Sequence, residues 1–257
     1  MSLYYKIKRV LNINFFFLQF RHPPKVFYCN ICDRYRILIR TDKAIRHGSR
    51  CLTCHSTAHH RGLVGAINNH LNLKDLREVN VYEISAHGAI FNFFKKLQKK
   101  YNFFFYFSEF LDNWEEGRTY NGVRCENIER LTFKDNFFLL ITSTGLMEHV
   151  ENDINGFYEI YRVLKPDGYY IFTVPLSVQT KKTLERAKRR ADGSINNILA
   201  PLYHGDPFRG ASGVFTWRSY GADIVKKLTK IGFKANIELI FLKELNEAMP
   251  VVVAQKK

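Results

Sequence analysis

The sequence lacks the features that would place it in a membrane or outside the cell. No stretch of its 257 residues approaches the roughly 20 consecutive apolar residues that a membrane-spanning helix needs. Residues 11–20 are apolar, but Asn12 and Asn14 interrupt them and no small-residue cleavage site follows, so they do not read as a secretory signal. We therefore expect a cytoplasmic protein whose cysteines are reduced.

Acidic residues are scarce near the N-terminus. Residues 1–72 contain 12 lysines and arginines against 2 aspartates and glutamates, whereas residues 73–257 contain 27 against 22. A surface this basic attracts an anionic partner, for which RNA, an anionic lipid surface and a phosphorylated substrate are the alternatives. A solvated basic face without any partner is the remaining interpretation.

Residues 1–27 form a basic, aromatic N-terminal segment. Within it, residues 3–20 mix basic and apolar side chains at approximately helical spacing, and Pro23-Pro24 end the pattern. Such a helix can lie on an anionic bilayer, which would place the protein at the inner face of the membrane. We favour the alternative that it covers an apolar patch of its own catalytic domain.

Four of the five cysteines form two CxxC pairs, Cys29 with Cys32 and Cys51 with Cys54, separated by 18 residues. Two residues between paired cysteines let both sulfurs face one tetrahedral ion, and two such pairs close its coordination shell. The spacing therefore predicts a zinc-ribbon-like module over residues 28–72, with a structural Zn²⁺. Disulfides are one alternative, and the other is a mixed site with one of four histidines: His47, His55, His59 or His60. The module could hold RNA or act as a rigid brace.

From about residue 79, short apolar runs alternate with helical stretches, which predicts an α/β fold with a mostly parallel sheet covered on both faces. Two final strands joined by a short turn must be antiparallel. The predicted strands are 79–85, 101–107, 122–125, 137–143, 168–175, 235–243 and 250–255, and the predicted helices are 89–100, 153–164 and 221–231.

Polar residues follow four successive predicted strands, at the strand ends where open α/β sheets bind ligands. An acidic residue, Glu109, comes 26 positions after Glu83 and suits a ribose, because one carboxylate can accept from both hydroxyl groups. The turn after the first strand has a single glycine, Gly88. A dinucleotide site needs several glycines there to cradle a pyrophosphate, so this turn favours a ligand without phosphate, such as S-adenosylmethionine.

The sequence resembles the class I S-adenosylmethionine-dependent methyltransferases (type 11-like), in particular a bacterial branch with an N-terminal CxxC…CxxC module. The segments that carry the resemblance are Glu148-His149-Val150, the run from Glu159-Ile160 through Arg162-Val163-Leu164-Lys165-Pro166-Asp167-Gly168, and Tyr203-His204-Gly205-Asp206-Pro207. The resemblance implies a doubly wound sheet closed by a terminal antiparallel strand, over residues 73–257.

The resemblance also implies roles for the residues at the strand ends. Those at the methionine end of the cofactor are Glu83, Ser85 and Gly88; Glu109 contacts the ribose; Glu126 and Asn127 lie at the adenine; and Ser143 and Thr144 lie beside the transferred methyl group. The chain departs from the family pattern at Leu139, Gly145 and Asp167, and these departures bear on activity.

A general base is needed where the acceptor keeps a proton until it attacks. Two histidines are the candidates: His149, after the fourth strand, and His204, in a lid-like insertion over residues 176–215. The alternatives are a helix-orienting role for His149 and a packing role for His204.

We therefore expect O- or N-methylation of a small-molecule, sugar or glycan-type acceptor. The basic residues of the insertion suit a phosphorylated acceptor, and a solvated helix face is the alternative that we favour for them. An RNA methyltransferase that holds its substrate with the basic module is one alternative. A non-catalytic binding protein of the same fold is the other.

Overall fold

The computed structural model describes residues 22–40, 45–111, 113–206 and 210–257. The predicted N-terminal helix over residues 3–20 lies outside the described residues. Within them, no helix is both long and apolar enough to cross a membrane.

Seventeen strands and five α-helices are described, and many of the strands are very short. The strands are β1 His22–Cys29, β2 Arg34–Arg40, β3 Ser49–Cys51, β4 Asn80–Glu83, β5 Phe104–Glu109, β6 Thr119–Tyr120, β7 Val123–Cys125, β8 Phe138–Thr144, β9 Leu164–Thr173, β10 Leu184–Glu185, β11 Ala187–Arg189, β12 Ile195–Asn197, β13 Tyr203–Asp206, β14 Gly210–Phe215, β15 Arg218–Ser219, β16 Phe233–Leu242 and β17 Glu247–Lys256. The helices are α1 Ile45–Gly48, α2 Ala58–His70, α3 Gly88–Tyr101, α4 Asp153–Val163 and α5 Ile224–Ile231, with 3₁₀ turns at Leu73–Asp75 and Met147–His149.

Eight strands form the central sheet, in the order β16-β17-β9-β8-β4-β5-β7-β6. The pairs from β9 through β7 are parallel, whereas β17 pairs antiparallel with both β9 and β16, and β6 pairs antiparallel with β7. The direction of winding reverses between β4 and β8. This is the class I methyltransferase arrangement, and the predicted fold class is confirmed.

Successive residues of the inner strands bury their side chains on opposite faces of the sheet. On one face, Tyr82 and Tyr170 pack in a core with residues of α4 and α5. On the other face, Val81 and Ile171 pack in a core with residues of α2 and α3. Both faces of the inner strands are therefore apolar, and each face needs helices to cover it.

The cysteine module shares the second of these cores. Its strands β1, β2 and β3 form a small antiparallel sheet, whose buried Phe27 and Leu38 belong to the same cluster as Val253 of β17. Helix α2 extends from the module across β9, β16 and β17. Residues on both sides of the predicted boundary at 72/73 therefore share one apolar core.

The buried arginine Arg61 of α2 joins three parts of the chain. Its Nε donates to Glu244 Oε1 at 2.8 Å, in the turn between β16 and β17. Its Nη1 donates to the carbonyl oxygen of Ser56 at 2.9 Å, next to the second cysteine pair. The side chain is 1% exposed. These hydrogen bonds compensate for the water that the guanidinium group loses on burial.

Several element boundaries differ from the sequence prediction by two to four residues, and left-handed residues accompany some of these differences. Helix α3 extends through Tyr101, and the following strand begins only at Phe104, because Asn102 adopts the left-handed conformation (φ 54°) that ends the helix. Strand β9 begins at Leu164 rather than at residue 168. Within it, Asp167 takes a left-handed conformation (φ 61°) where the family pattern has glycine.

Candidate functional site

A cleft of about 920 Å³ opens at the carboxyl ends of β4, β5 and β8, where the winding of the sheet reverses. Crevices at this position bind ligands in open α/β sheets. Eight of the ten predicted cofactor-binding and catalytic residues line the cleft: Glu83, Ser85, Gly88, Glu109, Glu126, Thr144, His149 and His204.

Glu109, at the end of β5, holds the loop that follows β4. One carboxylate oxygen, Oε1, accepts from the backbone N–H of Ala86 at 2.7 Å, from the hydroxyl of Ser85 at 3.1 Å and from Nδ1 of His87 at 3.0 Å. Within the part of the chain that the structure describes, these hydrogen bonds engage Oε1, and Oε2 can accept from a ligand. Glu109 therefore fixes the loop after β4 with one carboxylate oxygen and offers the other to a ligand in the cleft.

Gly88 begins α3 with φ of +87°, a left-handed conformation that favours glycine. A Cβ atom built at this position meets nothing within 4 Å, so the glycine also leaves open space at the start of the helix. The turn can therefore approach a bound ligand through its backbone.

Glu83 is the buried acid of the cleft. It is 1% exposed, and Thr142 of β8 donates its hydroxyl to Glu83 Oε2. Burial raises the pKa of Glu83 to about 8, although the hydrogen bond from Thr142 opposes this shift. A cationic ligand group beside Glu83 would favour its ionised form.

The two predicted adenine residues differ in how their polar groups are used. Glu126 lines the cleft, but its carboxylate is already bound by Arg124 Nε at 2.5 Å and by the backbone N–H of Thr132 at 2.8 Å. Asn127 is not among the lining residues, and its Oδ1 accepts from the backbone N–H of Glu129 at 2.9 Å. Both side chains therefore shape the loop after β7.

Ser143 and Thr144 end β8, but only Thr144 reaches the cleft. Successive strand residues face opposite sides, and the Ser143 hydroxyl lies 2.7 Å from the hydroxyl of Tyr170 inside the core. The structure thus brings Thr144, and not Ser143, to the side of the cleft where the resemblance puts the methyl group.

The two candidate bases lie side by side, together with an acid. His149 Nε2 is 3.2 Å from His204 Nδ1, and Glu148 Oε1 lies 3.9 Å from the first nitrogen and 3.8 Å from the second. We name these three residues the Glu148 cluster. The two histidines are 55 residues apart in the sequence, so no local pattern predicts that they meet.

The electrostatics of the Glu148 cluster follow from its burial. Glu148 is 1% exposed, and burial raises its pKa to about 7, opposed by the charge of Arg46. Burial also lowers the pKa of His204, helped by the charges of Arg46 and Arg186. His204 is therefore mainly neutral near pH 7, the state in which imidazole can accept a proton.

Residues of the cysteine module also line the cleft, which sequence analysis missed. They are Arg46 of α1 and His59 and His60 of α2. The Nη1 of Arg46 donates to the carbonyl oxygen of Val174, just after β9. The charge was visible in the sequence, but no spacing rule connects residue 46 to strand ends nearly 100 residues later.

Short hairpins from residues 176–215 line one end of the cleft. Strand β13 carries Tyr203 and His204 into the cleft wall, and Arg189 of β11 lies there as well. The guanidinium of Arg189 lies 5.5 Å from the ring centroid of Trp217, which also lines the cleft. This end of the cleft is therefore aromatic and basic.

The four cysteines of the module come together as one cluster. Cys29 and Cys54 have sulfurs 3.7 Å apart, those of Cys32 and Cys51 are 4.0 Å apart, and all four lie within 4.8 Å of one another. A tetrahedral zinc with Zn–S bonds of about 2.3 Å places sulfurs about 3.8 Å apart. A disulfide needs about 2.05 Å, and the cysteines are free thiols.

Both CxxC pairs have the same backbone geometry. The N–H of Asp33 donates to the carbonyl oxygen of Cys29 at 2.8 Å, and that of His55 donates to Cys51 at 2.9 Å. Asp33 and His55 both have φ of 56°. The two knuckles therefore present their sulfurs to one point, as an ion with four thiolate ligands requires.

Comparison with known proteins agrees with this geometry. Residues 88–172 match a family described as a methyltransferase domain (type 11). No curated protein matches the chain. Similar solved structures include S-adenosylmethionine-dependent methyltransferases from Mesorhizobium loti (12% identity, 76% of this chain, 98% of that chain, TM-score 0.49) and Methanosarcina mazei (16%, 74%, 96%, 0.41). The family match and the strand order support an S-adenosylmethionine-dependent methyltransferase.

Proposed function

We propose that the protein transfers a methyl group from S-adenosylmethionine to an oxygen or nitrogen atom of a small-molecule, sugar or glycan-type acceptor. One observation carries the proposal: the tips of β4, β5 and β8 open into the same cleft as His149 and His204. Cofactor-binding and acceptor-activating groups thus share one enclosed space, as a direct transfer between two bound molecules requires.

At the cofactor end, two acidic residues hold opposite parts of the ligand. Glu109 Oε2 accepts from the ribose hydroxyl groups, while Oε1 keeps the Ser85–Gly88 loop in place. Glu83, in its ionised form, faces the positively charged methionine end. When bound, S-adenosylmethionine supplies a methyl carbon whose bond to sulfur breaks as the acceptor's lone pair attacks, leaving a neutral thioether.

At the acceptor end, the Glu148 cluster takes up the proton that the acceptor loses. The Nδ1 of His149 lies 2.8 Å from the carbonyl oxygen of Phe215, which can only accept, so Nδ1 carries the hydrogen and Nε2 is the basic nitrogen. The rings of Tyr203 and Trp217 suit stacking against a sugar or planar acceptor, and Arg189 suits a phosphate on it.

We further propose that the four cysteines bind a structural Zn²⁺. The sulfur separations near those of a tetrahedral site and the matched knuckles support it. With four protein ligands the ion keeps no open position, so its contribution is to folding rather than to chemistry.

The test is calorimetry with S-adenosylmethionine on zinc-loaded protein, followed by a tritium-methyl transfer assay against sugar-nucleotide, lipid-carrier and RNA fractions. We expect binding of one cofactor per chain and label transfer to a sugar-containing fraction. A silent titration contradicts the proposal and favours a non-catalytic protein of the same fold.

One surface favours RNA as the second candidate acceptor. Tyr28 and Tyr35, paired across β1 and β2, are exposed on the outer face of the module, with ring centroids 5.6 Å apart. Exposed aromatic rings on a basic module suit stacked bases. Label recovered in the RNA fraction, with oligonucleotide binding that weakens steeply with salt and on Tyr35→Ala, would favour RNA.

A further inference from the structure

We propose that Arg46, which the cysteine module contributes to the cleft, binds an anionic group of the methyl acceptor, either a carboxylate or a phosphate. This inference rests on the proposed function and narrows the acceptor to molecules that carry such a group close to the methylated atom. It also gives the module a part in acceptor recognition, besides the structural part of its zinc.

Two arginines line the cleft within the described parts of the chain, and they differ in how far their N–H groups are already used. Arg189 donates from Nε and Nη2 to the two carboxylate oxygens of Glu151, at 2.6 and 2.5 Å, and from Nη1 to the carbonyl oxygen of Gly193 at 2.8 Å. An anion at Arg189 therefore has to compete with Glu151. Arg46 has no carboxylate within ion-pair distance among the described residues.

The guanidinium of Arg46 presents an open edge. Its Nη1 donates to the carbonyl oxygen of Val174. Its Nε is buried without a hydrogen-bond partner, and Nη2 donates no hydrogen bond to any described residue. Nε and Nη2 share one edge of the planar group, where they can donate in parallel to two oxygens of a carboxylate or a phosphate. A single neutral hydroxyl group offers only one oxygen to this pair of donors.

Arg46 is held from two sides, so the open edge has a defined position. Nδ1 of His59, which is buried on α2, lies 3.1 Å from the carbonyl oxygen of Arg46. Val174, which holds the guanidinium, directly follows Thr173, and Thr173 pairs with Thr144 of β8. The anion site therefore adjoins the strand end where the proposed function puts the transferred methyl group.

The electrostatics of the site favour an anionic ligand. Burial lowers the pKa of Arg46, because a guanidinium without a counter-ion loses the stabilisation that water gives its charge. An anion on the open edge would restore that stabilisation. Burial also raises the pKa of Glu148, which lines the same cleft, to about 7. At mildly acidic pH its carboxyl is protonated and does not repel the anion.

The experiment measures the binding of two probes, methyl phosphate and acetate, to the zinc-loaded full chain by saturation-transfer NMR of their methyl protons. It is done at mildly acidic pH and with saturating S-adenosylmethionine, so that the probes cannot occupy the place of the cofactor's own carboxylate. We expect binding of at least one probe, and the tighter one identifies the acceptor group as phosphate or carboxylate. Arg46→Gln should weaken probe binding at least about 10-fold.

Arg50→Gln is the matched control. Arg50 belongs to the same module and its substitution removes the same charge, but its side chain is exposed and does not line the cleft. Probe affinity should therefore be unchanged. Arg46→Lys keeps the charge and loses the fork of donors, so its affinity should fall between those of the parent protein and Arg46→Gln. Zinc content and thermal unfolding show whether each variant is folded.

Three outcomes overturn the inference. Neither probe binds the parent protein, or Arg46→Gln and Arg50→Gln change probe affinity equally. The third is that Arg46→Gln weakens S-adenosylmethionine binding instead, which would assign Arg46 to the cofactor's carboxylate.

Calorimetry with S-adenosylmethionine on the same samples separates this inference from the proposed function. Cofactor binding without probe binding removes the anion site alone. Probe binding that depends on Arg46, measured on a chain that does not bind the cofactor, removes the methyltransferase proposal alone.

Discussion

The cysteine cluster and the cleft both hold polar side chains in a fixed arrangement, but they assemble in different ways. The four sulfurs come from residues 29–54, and each knuckle is closed by a hydrogen bond over four residues. The side chains that line the cleft come from residues as far apart as Arg46 and Trp217, and its strand ends at Glu83, Glu109 and Thr144 are separated by more than 20 residues each. We therefore expect that loss of one cysteine abolishes zinc binding at the cluster. Loss of one cleft residue should instead affect a single property, such as cofactor affinity.

The largest effect should come from breaking the local site. Cys51→Ser removes one sulfur from a buried cluster that shares a core with the central sheet, so we expect loss of zinc and a destabilisation of at least about 3 kcal/mol. For a chain of this size that lowers the melting temperature by roughly 6–12 °C. Metal analysis and thermal unfolding provide the measurement.

Cys125→Ser is the control for that variant. Cys125 is equally buried, in β7, but it lies outside the cluster, so its substitution should keep the zinc and cost about 1 kcal/mol. Equal effects of the two substitutions would mean that the module does not depend on a metal.

The next effect should come from the cofactor end of the cleft. Glu109→Gln keeps an oxygen for the N–H of Ala86 but removes the charge that accepts from the ribose, so affinity for S-adenosylmethionine should fall about 10- to 100-fold. Glu116→Gln, which alters an ion pair with exposed Arg130, should leave it unchanged. Calorimetry compares the two, and equal affinities would remove Glu109 from the ribose site.

The pH dependence of cofactor binding should reflect Glu83. Its pKa of about 8 means that the carboxyl is protonated in the free protein at neutral pH, and a cationic ligand favours the ionised form. Affinity should therefore rise with pH, by about tenfold per pH unit below 8, and level off above it. Glu83→Gln should flatten the profile, and a pH-independent parent protein would contradict the role.

The raised pKa of Glu83 also predicts that the stability of the unliganded protein falls as the pH rises. The folded-state pKa of Glu83 lies above its ordinary value of 4.5, so the folded chain holds the proton more tightly than the unfolded chain. The stability contribution of that proton is present at low pH and is lost as the pH rises from about 4.5 through 8. Denaturant unfolding at several pH values, with Glu83→Gln as the reference, measures it.

The smallest effect should separate the two neighbours at the end of β8. Ser143→Ala removes a hydroxyl that faces Tyr170, so we expect a loss of about 1 kcal/mol in stability and a cofactor affinity within about twofold of the parent. Thr144→Ala, on the cleft side, should change affinity more than stability. If Ser143→Ala lowered cofactor affinity more than Thr144→Ala did, Ser143 and not Thr144 would lie beside the transferred methyl group.

The sequence predicted the architecture well because its signals are local. Alternating apolar residues such as Val81 and Tyr82 face opposite helical layers, and the CxxC spacing places its four sulfurs by short-range geometry. Strand ends were predictable for the same reason, since parallel strands end at one edge of the sheet. The role of Ser143 was harder to predict, because a shift of one residue along a strand exchanges the two faces.

What the sequence could not predict depends on long-range placement. The contact between His149 and His204, and the entry of Arg46 into the cleft, require the hairpin and the module to fold back over the strand tips. No periodicity connects such segments. The apolar core shared by residues on both sides of the predicted boundary at 72/73 depends on the same kind of placement, because α2 covers strands that come almost 200 residues later.

The ion pair between Arg61 and Glu244 has a consequence for how the chain is made. A ribosome releases the cysteine knuckles and α2 long before β16 and β17, which complete the cover of that helix. The side of α2 that packs on β16 and β17 lacks this cover until residues 233–256 have been translated. A nascent chain halted before residue 233 would thus be a substrate for chaperones and proteases, even with both knuckles already formed.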